Sequence, residues 1–348
     1  MWARFEAFLA FSHMSHSSII TRAFRFSLPA AVLVASSFIS AQAADAPLVA
    51  GQPILVPDSK GGFDFLEFDA ANNRLLADHP GNGTLDVIDG DTGKLIKHVA
   101  TGAAQSVAID AEAGKYFAGV SREKIVAVVD IKTLEKVGEY PIGGPADDMV
   151  LDPKNHFLYV DHDDGKDVWV IDSKTGKLVS TVSIEEGPEC IVYDPVSDQV
   201  FQNIKPNNTL VVIDPATNKV KETWKVAPAQ SPHGLALDEK THRLFVAGGN
   251  GKLVVIDAGT GKVTADVDIA KGVDQIVFEP ETKRIYCAAG AGTMTVLHET
   301  ENGVESLGDV KTAAGAHTVT VNPKTHAVWV AYADRGTNKS YVLKLEMK

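Results

Sequence analysis

A repeat of about forty-two residues constrains this chain more than any other feature. Short apolar stretches end on an acidic or amide residue at Asp69, Asp110, Asp152, Asp194, Asp238, Glu279 and Asn322. A second landmark, a strand end reading like Val-Val-Ile-Asp, falls at Asp89, Asp130, Asp172, Asp214, Asp257 and Glu299. Spacings stay between 41 and 44 residues in both series. Two landmarks in phase over this length mark one supersecondary unit copied along the chain, each copy burying its apolar faces against its neighbours.

Within one period the text reads as four strands. The clearest unit runs His233–Asp238, Arg243–Ala247, Leu253–Asp257 and Gly261–Ile269, with turns rich in Gly, Asn, Asp and Thr between the runs. Its first run is almost wholly apolar, as a strand buried on both faces must be, and its fourth alternates with charge, as an outer strand does. Four antiparallel strands per period are the mark of a propeller blade. Seven units are present, but the last ends after Tyr341–Glu346 with no fourth strand, while Pro53–Pro57 is an apolar run without a unit of its own. The sequence therefore predicts an all-β, seven-bladed β-propeller of four-stranded antiparallel blades, its ring closed by the N-terminal strand.

The segment ahead of the repeats reads as a leader. Arg22 and Arg25 precede the apolar run Phe26–Ile39, and Ala41-Gln42-Ala43 is the small-x-small pattern of a signal-peptidase site. Residues 1–43 are expected to be a signal peptide, with Met14 an alternative start, and residues 44–348 a single propeller domain in the periplasm or secreted. No later stretch is long enough to span a membrane. The whole chain has 33 basic and 45 acidic residues, a formal charge of −12. That balance gives no footprint for a phosphate backbone, so nucleic acid is not an expected partner. The two cysteines, Cys190 and Cys287, cannot form a disulfide framework or a four-cysteine zinc module, and they read as small buried apolar residues. No Cys-x-x-Cys-His is present, so covalent haem is not expected. No oligomerisation surface is legible, and a monomer is expected.

The segments Phe157-Leu-Tyr-Val160, Asp167–Asp172, Thr175-Gly-Lys-Leu178 and Pro188–Pro195 resemble the YVTN-repeat propellers, in particular their exported YncE-like group. The resemblance covers essentially all of residues 44–348. It implies the fold but not an activity, because such proteins include binding proteins, surface proteins and relatives of lactonases; function has to be argued from a site.

Repeat position converts into location. The residue five before each landmark should point into one mouth of the central channel, and these residues are Asp64, Gln105, Asp147, Glu189, His233, Asp274 and His317. The pairs Asp78-His79 and Asp161-His162, with Asn203, are expected to flank that ring. His156, His242 and His326 fall at the opposite face and read as repeat scaffolding; His98 and His298 fall in outer strands. The expected mouth is thus an acidic funnel with imidazoles that attracts cations and binds a small ligand, a metal ion or a periplasmic partner protein. Its metal-ligand candidates are His79, Asp161, His162, Glu189, His233, Asp274 and His317, for Ca²⁺, Mg²⁺, Zn²⁺ or copper. An alternative is a metal-dependent lactonase-like hydrolase or lyase, with the ion on Glu189, Asp147 and Asp274 and the proton moved by His233 or His317. A third reading is a docking subunit for a periplasmic redox or envelope protein.

Overall fold

A computed structural model describes residues 46–185 and 187–348. The expected leader lies outside the described residues. Those residues form strands and turns with no helix among them. Six sheets have four antiparallel strands in meander order; the first comprises Leu66–Asp69, Arg74–His79, Thr84–Asp89 and Leu95–Val99. The seventh contains Thr318–Val321, Val328–Ala333 and Ser340–Met347, completed by the N-terminal segment.

That closure departs from the expected single run. Leu48–Ala50 pairs with Met347–Leu345, and Ile54–Leu55 pairs with Val342–Tyr341. The strand starts earlier than Pro53 and is broken in the middle. Proline has no N–H to give to a ladder, which accounts for the break at Pro53. The Gly51 N–H still reaches Lys344 O at 2.8 Å.

The landmark acids explain the repeat physically. Asp69 Oδ1 accepts from the backbone N–H groups of Ala71 and Asn72, and Asp152 Oδ1 from those of Lys154 and Asn155. Each is an Asx turn joining the first strand of a blade to the second. The same acids tie neighbouring blades: the Tyr116 hydroxyl donates to Asp69, while His242 and His326 contact Asp194 and Glu279 at 2.6 and 2.5 Å. The scaffolding role of those two histidines is thereby accounted for. The core lies between blades, where Phe201, Leu210 and Trp224 of the fourth pack against Leu235, Leu244 and Val254 of the fifth.

At the other face, the inner strands carry irregularities that position the site. Pairing slips between Ala104 and Ser106, Ala146 and Met149, Pro188 and Ile191, Pro232 and Leu235, and Val273 and Ile276. Gln105, Asp147, Glu189, His233 and Asp274 sit inside these slips. A β-bulge re-aims a side chain at a strand end, and here it does so in five blades at the same repeat position.

Candidate functional site

Five ionisable side chains form a continuous chain across the mouth. His317 Nδ1 contacts Asp274 Oδ2, and His233 Nδ1 lies 2.9 Å from Asp274 Oδ1. His233 Nε2 is 2.7 Å from Glu189 Oε2, and Lys205 Nζ donates to Glu189 Oε1 at 2.6 Å. Cation-forming and anion-forming groups thus alternate from His317 to Lys205. Burial opposes the charge on Asp274, but the two imidazoles outweigh it and hold the carboxyl far below its usual range. Burial likewise opposes a charged His233, yet Asp274, Cys190 and Glu189 keep the imidazole protonated far above its usual range. His317 and Lys205 are shifted upward as well, against burial, by Asp274 and by Glu189 respectively. Asn203 fixes the backbone beneath this chain, its Nδ2 donating to His233 O at 2.9 Å.

The remaining ring acids behave differently. Burial, with the charge of Asp274 added, pushes Asp64 up to about 7. Asp147 is driven well above the carboxylate range by burial and by Asp64 and Glu189. With Gln105 they line a chamber of about 30 Å³, room for one or two waters. Above it opens a bowl of about 450 Å³, which shares His233 and Asp274 with the small chamber. Its side chains include Lys205, His233, His317 and Arg335 against the single acid Asp274, and Gly249, Gly272, Gly290 and Gly315 contribute bare backbone to its wall. A Cβ on Gly272 would meet nothing within 4 Å, so that wall is open because the side chain is missing. The mouth is therefore not the cation-attracting acidic funnel expected: imidazoles and Lys205 are paired with Asp274 and Glu189, and Asp64 and Asp147 lean towards their neutral forms.

A model of the cytochrome D1 heme domain matches residues 77–280, more than half of the chain. The chain belongs to the cytochrome D1 heme domain family. None of the curated proteins searched matches it. Among solved structures it is similar to the Kuenenia stuttgartiensis hydrazine synthase, with a TM-score of 0.70 and 16% identity over 83% of this chain and 96% of that one. At that identity the likeness concerns the fold alone.

In this member of the cytochrome D1 heme domain family the ring residues converge, but the flanking pairs do not join them. His79 is fully buried, stacks on Phe63 at 4.0 Å and lies 2.8 Å from Asp86. Asp161 is used in the scaffold, accepting from the Asp148 N–H of its own blade at 2.7 Å and from Gln202 Nε2 of the next blade at 3.0 Å. His162 packs at a tilt against Trp169, ring centres 4.7 Å apart, its ring pressed over Gly144 and Gly165, where any Cβ would clash with it. The proposed metal set of His79, Asp161, His162, Glu189, His233, Asp274 and His317 is accordingly not one cluster. Among the described residues no group of three His, Cys, Asp or Glu is placed to hold a bare ion. Cys190 is buried next to the ring, and burial pushes its thiol up to about 12, as expected of an unreactive apolar cysteine. Lys205 and Arg335 went unnoticed in the sequence. Lys205 follows the second strand of its blade, the same repeat position as Gly249 and Gly290, so aligning that turn across units would have located the bowl's rim.

Proposed function

We propose that this chain is an exported propeller that binds a flat, carboxylate-bearing small molecule in the glycine-walled bowl. A non-covalently held tetrapyrrole of the haem type is the ligand its family suggests. The observation that carries this reading is the bowl itself, a cavity of ligand size in which cationic ends surround bare backbone. The donor set fits. Both nitrogens of His233 lie against carboxylates, whereas His317 has Nδ1 on Asp274 and, among the described residues, no partner at Nε2. An imidazole braced by a carboxylate through one nitrogen and free at the other is the arrangement of a metal-ligating histidine. When bound, a haem would supply redox and ligand-exchange chemistry. Asp274 would fix the tautomer and orientation of His317, Lys205 and Arg335 would hold ligand carboxylates, and His233, clamped between Asp274 and Glu189, would keep both acids in place at the bowl floor. Both cysteines are buried, which supports a non-covalent mode. Export rests on the leader pattern in residues 1–43 and on the resemblance to exported YVTN-repeat propellers; no helix among the described residues is long and apolar enough to cross a membrane.

Titration with iron protoporphyrin IX, followed through the Soret band, tests the reading. One-to-one binding is expected, with His317→Ala weakening it at least tenfold and changing the band position. Lys205→Ala and Arg335→Ala should weaken binding without moving the band. No binding, or a His317→Ala variant with an unchanged spectrum and affinity, would overturn this assignment.

A further inference from the structure

The channel has a second cavity with a different chemistry. A chamber of about 320 Å³ is lined by the inner strands and by Glu239 in the strand-one to strand-two turn, towards the face away from the bowl. It shares no lining residue with the bowl, and the water-sized chamber separates the two. Its walls include Phe65, Val150, Tyr193 and Leu237, and the acids Glu67 and Asp148 line it as well. Among the described residues no Lys, Arg or His lines it.

The two carboxyls are held in place but lack a counter-charge. Glu67 Oε1 accepts from the Phe68 N–H at 2.9 Å; Asp148 accepts from the Met149 and Ile191 N–H groups at 2.7 and 3.1 Å. Burial nevertheless pushes both up to about 7, the hydrogen bonds only partly offsetting it. The charged groups acting on Asp148 are further acids, Glu67 and Asp64, and Glu67 and Asp148 both act on Asp78. A ligand that brought a positive charge would supply the missing partner, an anion would face only acids, and the apolar and aromatic walls suit a hydrocarbon body.

We propose that this chamber is a second binding site, for a small primary ammonium ion with an apolar body, its ammonium on Glu67 and Asp148 and its body against Phe65, Val150, Tyr193 and Leu237. The site is independent of the bowl and stands whether or not a tetrapyrrole binds there. Ammonium binding draws Glu67 and Asp148 into their ionised forms, so protons leave the protein as the ligand enters.

Isothermal titration with 2-phenylethylammonium at pH 7, in two buffers of different ionisation enthalpy, tests this directly, with phenylacetate as the anion of matching shape. The expected result is one-to-one binding of the ammonium with net proton release and no binding of phenylacetate. Glu67→Gln should weaken binding at least tenfold, while His317→Ala in the bowl leaves it unchanged. Should Glu67→Gln fail to fold, Val150→Phe, which fills the chamber, replaces it with the same expectation. The proposal is overturned by absence of ammonium binding at millimolar concentration, by equal binding of phenylacetate, or by wild-type affinity in the folded Glu67 or Val150 variant.

Discussion

Asp78 isolates, in one side chain, the electrostatic cost this channel carries. It is fully buried, and neither carboxyl oxygen has a hydrogen-bond partner. Burial, with Asp64, Asp148, Asp86 and Glu67 adding to it, raises its pKa well above the usual range. A carboxyl whose folded pKa exceeds its unfolded value binds more protons in the folded state, so it removes stability as pH rises from about 4. Asp78→Asn keeps the shape and abolishes the titration. The variant is expected to be more stable than wild type by about 1–3 kcal/mol at pH 8, with the gain shrinking towards pH 4. Urea unfolding at the two pH values measures this, and equal stability at pH 8 would mean that Asp78 has a compensating partner. The sequence located Asp78 beside the ring but could not show that it points into protein, because one residue along a strand exchanges its two faces. It likewise placed His233, Asp274 and His317 on one ring without revealing that Asp274 lies between both imidazoles. That depends on bulge geometry in adjacent blades, which leaves no trace in spacing.

Between elements, the ring is fastened by a buried carboxylate with two imidazoles. Asp86, on the third strand of the first blade, is contacted by His79 Nδ1 at 2.8 Å and His98 Nδ1 at 2.6 Å and accepts from Thr84 Oγ1 at 2.6 Å. The far nitrogens reach the closing segment, with His79 Nε2 3.1 Å from Gly61 O and His98 Nε2 2.9 Å from Pro57 O. Ser340 of the last blade joins the same knot, its hydroxyl 2.8 Å from Gly61 O. Burial opposes the Asp86 charge, and the two histidines outweigh it to lower its pKa. That contribution to stability is present above the ordinary carboxylate range and is lost as pH falls through the folded value. His98 is raised, chiefly by its hydrogen bond to Asp86, so its contribution is full below about 6.5 and is lost as pH rises through the folded value. The fastening is therefore tightest in mild acid. Asp86→Asn should cost about 3–5 kcal/mol, the scale for breaking a buried ion pair from one side. It should also raise amide exchange, corrected for intrinsic rates, selectively around residues 54–61; uniform exchange across all blades would disprove a local fastening. The strands of this region were legible from the period, and the need for closure from the strand count. The knot was not legible, since His79 read as a rim residue and His98 as an outer-strand one.

For the whole molecule, the net charge of −12 resolves into distinct duties. Landmark acids make Asx turns and inter-blade ties at one face, Asp274 and Glu189 hold imidazoles at the other, and buried carboxyls line the axis between them. Hydrazine synthase shares this architecture at 16% identity, so the ring tolerates replacement of most residues provided each blade buries its faces and the circle is closed. Closure is the one non-repeating requirement, and removal of residues 44–57 isolates it. Leu48 and Val56 would leave the core, where each is at most 2% exposed, and Ser340–Met347 would become an open sheet edge. Losing two such side chains alone costs about 3–6 kcal/mol, and the unpaired edge can pair with other chains. The truncated chain is expected to unfold at markedly lower denaturant and to form concentration-dependent oligomers by light scattering. A synthetic peptide of residues 44–57 added in trans should restore the monomer, because the vacant position in the last blade is a ready template for an antiparallel strand. A truncated protein that stays monomeric with wild-type stability would show that six complete blades and a three-stranded seventh hold the ring without it.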